Sequence, residues 1–271
     1  MKLLRRALVA IAVFAVVAYG GVLAYISLNQ RSLQYDVAGK FLDLGETTLT
    51  NAELVEIPTS DNERIRGWYA PPQAGKPVIV FYKGNARSFT ADHERYEQFV
   101  ADGFGFLAFD YRGFPASPGV LNQDNVLKDS IAAFAFAQNK GFPLVIWGRS
   151  LGSGPATYVA SQRDAEALLL ETPFDSALSV GQERYWYLPV GLLMSDQYPV
   201  DQWIAGVEEP VYVAVGTADT TIPAWHGERA YELAPNKAGL WVEPGAGHSD
   251  LWDRGLWGRA KAFFEAPATA Q

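Results

Sequence analysis

The stretch Gly148-Arg149-Ser150-Leu151-Gly152 has the pattern G-x-S-x-G and lies between an apolar run, 143–147, and a small-residue stretch, 153–160, that is typical of a helix. In a strand–turn–helix setting this pattern indicates a nucleophile elbow, a tight turn that raises the serine hydroxyl above the end of its strand. Both glycines are expected because a side chain at either position would collide with the strand or the helix. Ser150 is therefore the candidate nucleophile, and the backbone N–H of Leu151 is expected to face the reacting carbonyl.

Short apolar runs alternate with longer helical segments on both sides of the elbow. An antiparallel hairpin over residues 53–69 is expected at one sheet edge. Strands alternating with helices predict an α/β fold with a mostly parallel sheet of about eight strands, covered by helices on both faces. Active residues in such a sheet lie at the carboxyl ends of the strands. The further predicted strands are 78–82, 104–109, 143–147, 167–170, 211–215 and 239–242.

The N-terminus combines positive charge with a long apolar run. Lys2, Arg5 and Arg6 precede residues 7–28, which carry no charge. About 20 apolar residues span a bilayer as a helix, whereas the apolar region of a signal peptide has about 7–15. We predict a membrane anchor over residues 1–28, with the folded part on the periplasmic side of a bacterial inner membrane because basic residues stay in the cytoplasm. The alternative is a long cleavable signal that releases the protein into the periplasm or the medium.

The rest of the chain divides into a connector, a catalytic domain and a tail. We predict a polar juxtamembrane connector over 29–50, a single catalytic domain over 51–266 and a tail over 267–271. About 40 residues separate the strands 167–170 and 211–215, and a connection of that length is usually functional. A short cap or lid is therefore predicted over about 174–208. The alternative is a crossover helix whose aromatic residues, 185–187, face the core.

Composition excludes several kinds of chemistry. The formal net charge of −8 argues against a nucleic-acid partner, which would require a basic face. The chain has no cysteine, which excludes a thiolate nucleophile, disulfides and cysteine metal sites. No cluster of His, Asp and Glu has metal-ligand spacing, and no glycine loop has the full phosphate-binding pattern. We predict no cofactor and no metal.

The serine requires a base, and only three histidines are available. His93 opens a predicted helix among charged residues and is assigned to the surface. His226 lies within a predicted helix, with no loop to carry it over the serine. His248 follows the last predicted strand in the flexible loop 244–248, at a carboxyl end of the sheet. We therefore predict His248 as the base.

The acid that orients this base is expected between serine and histidine in chain order. Asp219 lies just past the strand 211–215 and is the predicted acid; Asp175, after the preceding strand, is the alternative. The loop 83–86 after the strand 78–82 is expected to supply the second oxyanion donor, from the N–H of Asn85 or, less favourably, of Ala86. An ordinary strand–helix turn is the alternative for this loop. Lys83 within it either lies near the acyl site or points to solvent.

Six motifs follow one another in an order that is more specific than any one of them. They are YKGNA (82–86), FDYRGF (109–114), GRSLGSGP (148–155), ETPF (171–174), GTADTTIP (216–223) and GH (247–248). With these motifs the chain resembles the α/β-hydrolase superfamily, in particular its small membrane-associated serine hydrolases related to the eukaryotic protein depalmitoylases. The resemblance covers residues 52–265 and implies Ser150 as nucleophile, Asp219 as acid and His248 as base. Lys83 departs from the family, which usually has histidine there.

These observations predict a membrane-anchored serine hydrolase that acts on a small-molecule or lipid-like acyl substrate. The resemblance to depalmitoylases implies cleavage of carboxylic ester or thioester bonds through an acyl-enzyme. Two alternatives stay open. The same three residues serve serine peptidases and amidases, and a catalytically silent, membrane-tethered binding domain would keep the fold without the reaction.

Overall fold

Eight strands form one sheet in the computed structural model, which describes residues 2–266; the predicted tail, 267–271, lies outside the described residues. The strands are β1 (Glu53–Pro58), β2 (Arg64–Ala70), β3 (Val78–Tyr82), β4 (Gly105–Phe109), β5 (Leu144–Arg149), β6 (Ala167–Glu171), β7 (Val211–Gly216) and β8 (Lys237–Glu243). Their order across the sheet is β1-β2-β4-β3-β5-β6-β7-β8. The pairs β1–β2 and β2–β4 are antiparallel and the other five neighbouring pairs are parallel, which confirms the predicted mostly parallel sheet.

Helices cover both faces of the sheet, as predicted. One face packs against α3, α4 and α8, and the other packs against α2 and α9. The helices are α1 (Lys2–Gln34), α2 (His93–Ala101), α3 (Gln123–Gln138), α4 (Ser153–Ala160), α5 (Ala177–Arg184), α6 (Val190–Leu193), α7 (Val200–Trp203), α8 (Ala224–Leu233) and α9 (Trp257–Glu265).

The central strands bring several loops to one edge of the sheet. Every residue of β3 is buried, because helices cover both of its faces. In the register of the parallel strands, Tyr82 lies opposite Gly148, and Arg149 lies opposite Glu171. The loops that follow β3, β5, β7 and β8 therefore leave the sheet at its carboxyl edge, where the predicted site residues are found.

The N-terminal helix α1 runs beyond residue 28, the predicted end of the anchor, and ends at Gln34. Its last turns are held by the folded domain, since Gln34 donates from its side chain to the carbonyl of Asp196 at 2.9 Å. The apolar part has a mean hydropathy of 2.5 and is not buried by the rest of the chain. By length and composition α1 fits a membrane-crossing helix, and signal sequences share these properties. The following connector contains one short helical turn, Leu44–Glu46.

The connection between β6 and β7 folds into the three short helices α5, α6 and α7, in the region predicted as a cap. Tyr185, Trp186 and Tyr187 are all exposed. The alternative in which these aromatic residues face the core is therefore wrong. The segment lies beside α1, because the hydroxyl of Tyr19 donates to the carbonyl of Tyr187 at 3.1 Å.

Candidate active site

The three side chains that the sequence selected lie within hydrogen-bonding distance of one another. Nε2 of His248 is 2.8 Å from Oγ of Ser150, and Nδ1 of His248 is 2.7 Å from Oδ2 of Asp219. An ionised carboxylate only accepts hydrogen bonds, so Nδ1 carries the imidazole proton and Nε2 accepts from the serine hydroxyl. Asp219 is buried, while Ser150 and His248 are partly exposed. This arrangement can remove a proton from Ser150 and stabilise the resulting imidazolium.

The turn that carries Ser150 is strained and crowded, as the G-x-S-x-G pattern predicts. Ser150 has φ +52°, in the left-handed region that most residues avoid. A Cβ added to Gly152 would lie 1.9 Å from the carbonyl oxygen of Tyr82. A Cβ added to Gly148 would lie 2.6 Å from the Cβ of Ala156. Strand β3 and helix α4 thus pack against the turn on two sides, and no side chain fits at Gly148 or Gly152.

The loop after β7 orients the Asp219 carboxylate. Oδ1 accepts hydrogen bonds from the backbone N–H groups of Thr221 at 2.8 Å and Ile222 at 2.9 Å. Oδ2 is left to face His248. A second aspartate braces the histidine loop, because Asp250 accepts from the N–H of Gly247 at 2.7 Å. Sequence reasoning did not find this contact.

The loop after β3 passes close to the elbow. A Cβ added to Gly84 would lie 3.6 Å from the Cβ of Ser150, so the backbone before Asn85 is adjacent to the candidate nucleophile. Lys83 is buried, and its Nζ donates to the carbonyl oxygens of Gly84 at 3.2 Å and Arg87 at 2.9 Å. The side chain therefore points into the loop and not to solvent, and it ties together the two ends of that loop.

The charge of Lys83 faces a buried carboxylate. Its Nζ lies 3.8 Å from Oδ1 of Asp110, which is also fully buried. Burial lowers the pKa of Lys83 to about 8, although the negative charge of Asp110 opposes this shift. Asp110 itself accepts from the N–H groups of Phe89 at 2.8 Å and Ala116 at 3.0 Å. The pair is thus a structural support beneath the loop.

Asn85 makes a contact that sequence reasoning missed. Its Nδ2 donates to the carbonyl of Gln34, the last residue of α1, at 2.7 Å. The next residues form a bridge, in which the N–H of Arg87 donates to the carbonyl of Asp36 at 3.1 Å. Nothing in the polar composition of the connector distinguishes these residues from an unattached linker.

The other candidates for acid and base lie apart from this cluster. Asp175, the alternative acid, is 2.6 Å from Nδ1 of His226 and makes no contact with His248 among the described hydrogen bonds. His226 is fully buried in α8, and its Nε2 lies 3.1 Å from Glu183 of α5. Within residues 2–266, no group of three or more His, Cys, Asp or Glu residues is suited to hold a metal ion.

A buried glutamate supports the strand that ends in the elbow. Glu171 accepts two hydrogen bonds from Arg95, at 2.7 and 2.9 Å, and one from Nε1 of Trp147 at 3.0 Å. Arg149 lies 3.4 Å from the same carboxylate and 3.2 Å from Asp92. Arg149 is therefore engaged in structural ion pairs beside Ser150. Sequence analysis includes Glu171 in the motif ETPF (171–174) but assigns it no structural role.

The candidate site has a serine at a tight turn after a central strand, next to a histidine and an aspartate from later loops. This arrangement is typical of α/β-hydrolases. No protein-family model matches the chain. The chain is 34% identical over 251 residues to the uncharacterized protein Rv2307c of Mycobacterium tuberculosis, which covers 90% of this chain and 89% of that protein. It is 31% identical over 208 residues to the alpha/beta hydrolase domain-containing protein aho-3 of Caenorhabditis elegans, covering 71% of this chain and 59% of that one.

The fold has solved counterparts. The esterase Pf2001 of Pyrococcus furiosus superposes with a TM-score of 0.68 and 20% identity, covering 87% of this chain and 100% of the esterase. At that identity the likeness shows the fold alone. The chain belongs to the α/β-hydrolase superfamily, as the sequence resemblance predicted.

Proposed function

We propose that the protein is a membrane-anchored serine hydrolase that cleaves carboxylic ester or thioester bonds through an acyl-enzyme on Ser150. The observation that carries the proposal is the chain of hydrogen bonds from Asp219 through His248 to the Ser150 hydroxyl, at 2.7 and 2.8 Å. A serine hydroxyl is a weak nucleophile unless such a base removes its proton as it attacks. Membership in the α/β-hydrolase superfamily supports hydrolysis in general. The nucleophile, Ser150, and the cleaved bond, a carboxylic ester or thioester, are the proposed part.

In the proposed reaction, Oγ of Ser150 attacks the substrate carbonyl while its proton passes to Nε2 of His248. Asp219 stabilises the imidazolium without taking the proton itself. Collapse of the tetrahedral intermediate breaks the ester or thioester bond, and the leaving alkoxide or thiolate receives the proton from His248. Water then attacks the acyl-enzyme with His248 again as base, which releases the acid and restores Ser150.

The negative oxygen of the intermediate requires donors that are already in place. We assign this role to the backbone N–H groups of Leu151 and Asn85. Leu151 lies in the first turn after the nucleophile, where N–H groups have no helical acceptor. Gly84 lies close to Ser150, which supports the assignment of Asn85. Its N–H would then lie on the same side of the substrate carbonyl carbon as that of Leu151.

The N-terminal helix is proposed as the anchor, with the catalytic domain on the periplasmic side. Its apolar length and the basic residues Lys2, Arg5 and Arg6 support this orientation. Protease treatment of spheroplasts is expected to digest the catalytic domain, and a protected domain would reverse the topology. The mass of the purified protein distinguishes a retained anchor from a cleaved signal.

The test of the reaction combines labelling by a fluorophosphonate probe with turnover of p-nitrophenyl esters. Ser150→Ala is expected to abolish labelling and to lower kcat by a factor on the order of 10⁶, as for the nucleophile of a well-studied serine protease. Ser161→Ala, at the far end of α4, is the matched control and is expected to keep both. Labelling or turnover that persists in Ser150→Ala would show that the assignment is wrong.

A further inference from the structure

The tip of the cap is an exposed apolar surface without charge. We define the cap tip as residues 185–193, which include the exposed aromatic residues and helix α6. Trp186 is 82% exposed and Leu192 is 88% exposed. Together with Leu188 and Val190 they line an open cleft of about 580 Å³. Exposed apolar patches of this kind mark an interaction site.

The cap tip lies against the apolar part of α1. The hydroxyl of Tyr19 donates to the carbonyl of Tyr187 at 3.1 Å, across 168 residues of sequence. Leu23 and Ile26, on the following turns of α1, are only partly exposed, whereas most neighbouring residues of the helix are exposed. The apolar surface of the cap tip is therefore continuous with that of the helix.

The polar end of the cap contacts the polar end of the helix. The N–H of Ser195 donates to the side chain of Gln30 at 2.7 Å, and Arg31 lies 3.3 Å from Asp196. The cap thus follows α1 over residues 19–31, a rise of about 18 Å at 1.5 Å per residue. Apolar cap residues meet the apolar part of the helix, and polar cap residues meet the polar part.

The depth of the contact follows from the length of the helix. The hydrocarbon core is about 30 Å thick, which takes about 20 helical residues. When Arg6 marks the cytoplasmic boundary, the opposite boundary falls near Ile26. Tyr19 then lies about 10 Å inside that boundary, at 1.5 Å per residue. Tyr187, whose carbonyl accepts from Tyr19, must lie at about the same depth.

We propose that the cap tip is inserted in the lipid leaflet on the non-cytoplasmic side of the membrane, beside α1, with phospholipid acyl chains as its partner. The inference rests on the proposed membrane anchor. Residues 185–195 contain no charged side chain, and Arg184 and Asp196 flank them, as lipid burial requires. Trp and Tyr residues are enriched at membrane surfaces, where ring bodies meet lipid and polar tips meet water. The anchor and the cap tip then hold the catalytic domain at two points in a fixed orientation.

Single cysteines test this insertion, because the chain contains no cysteine of its own. Leu192→Cys reports on the cap tip, Val13→Cys on the apolar part of α1, and Phe142→Cys on the opposite edge of the sheet, just before β5. Each full-length variant is labelled with a nitroxide in vesicles of phosphatidylethanolamine and phosphatidylglycerol. Collision rates with oxygen, which concentrates in lipid, and with a water-soluble nickel chelate are then measured.

We expect the labels at Leu192→Cys and Val13→Cys to shift toward collision with oxygen, and the label at Phe142→Cys to collide mainly with the chelate. A label at Leu192→Cys that resembles that at Phe142→Cys, while Val13→Cys reports lipid, would overturn the inference and leave the anchor in place. A label at Leu192→Cys shielded from both reagents would mean that another protein surface covers the cap, which also overturns it. Exposure of Val13→Cys to the chelate would contradict the membrane anchor itself.

Discussion

The side-chain amide of Asn85 donates a 2.7 Å hydrogen bond to the carbonyl of Gln34, and this bond joins the end of the N-terminal helix to the loop beside Ser150. The same loop carries the proposed oxyanion donor, the backbone N–H of Asn85. The bridge between Asp36 and Ala86 extends the attachment by one residue. The last turn of α1 therefore helps to hold a loop of the candidate active site.

Asn85→Ala keeps the backbone N–H and removes the side chain that holds this loop to Gln34. We expect kcat to fall by about tenfold, less than the factor of about 10²–10³ that follows complete loss of an oxyanion donor. Ester turnover by the full-length protein measures the effect. Asn139→Ala, at the exposed end of α3, is the matched control and is expected to retain activity. Equal activity of the two variants would mean that the attachment does not position the donor.

Asp219→Asn is expected to lower kcat by a factor on the order of 10⁴, because an amide in this place favours the wrong imidazole tautomer. The proton on Nδ1 of His248 would lose its carboxylate acceptor at 2.7 Å. Asp175→Asn provides the comparison, since Asp175 faces His226. We expect that variant to keep most of its turnover. A larger loss of kcat in Asp175→Asn than in Asp219→Asn would show that Asp175 is the acid.

Features with a local signal were predictable from the sequence. The apolar runs indicate the strands, and helix α4 has the bounds 153–160 that the sequence predicts. The elbow was also local, because steric exclusion at Gly148 and Gly152 requires glycine in the pattern itself. His248 could be selected because the chain has only three histidines and each falls in a different setting.

Features that depend on distant partners were not predictable. Asn85 and Gln34 are 51 residues apart, and a bond between two polar surface residue types leaves no periodic pattern. The sequence allows Lys83 to point to solvent or to the acyl site. Its side chain instead lies next to Asp110, and the two residues come together only when β3 and β4 pair. Glu171 lies at the end of a strand, and nothing nearby in the sequence indicates that its partner is Arg95, 76 residues away.

Lys83→Met is expected to change how stability depends on pH. Burial lowers the pKa of Lys83 to about 8 from its ordinary value of 10.5. Between these values the unfolded chain binds a proton that the folded protein has released, so the contribution of Lys83 to the free energy of unfolding rises as pH increases from about 8 to 10.5. That contribution is lost as pH falls through about 8, where burial of the charge opposes folding.

Urea denaturation at several pH values over this range measures the effect. The rise with pH is expected to be smaller in Lys83→Met than in the wild type. Lys128→Met replaces a lysine that is nearly half exposed, and this control is expected to follow the wild type. Parallel curves for Lys83→Met and the wild type would contradict a role for burial of this charge.

Glu171→Gln removes the carboxylate that accepts both hydrogen bonds from the buried guanidinium of Arg95, and leaves that guanidinium only Asp92, at 3.7 Å. Removing one partner of a buried ion pair costs about 3–5 kcal/mol, because the other charge stays buried and unpaired. We expect a loss of that size in the free energy of unfolding, measured by urea denaturation. Glu56→Gln is the control at the surface, where Arg64 and Glu56 are both well exposed and the change is expected to stay within about 1 kcal/mol. Similar losses in both variants would exclude a special contribution of the buried pair.

Gly152→Ala tests the crowding of the elbow separately from its chemistry. The added Cβ would lie 1.9 Å from the carbonyl oxygen of Tyr82, so either β3 or the turn must move. We expect a loss of about 4 kcal/mol or more, the range of severe steric defects. Gly258→Ala is the matched control in α9, where an added Cβ meets no atom within 4 Å. There alanine is expected to stabilise the helix by about 0.5–1 kcal/mol. Thermal unfolding of both variants should therefore shift Tm in opposite directions, and a Gly152→Ala protein as stable as the wild type would contradict the packing described for the elbow.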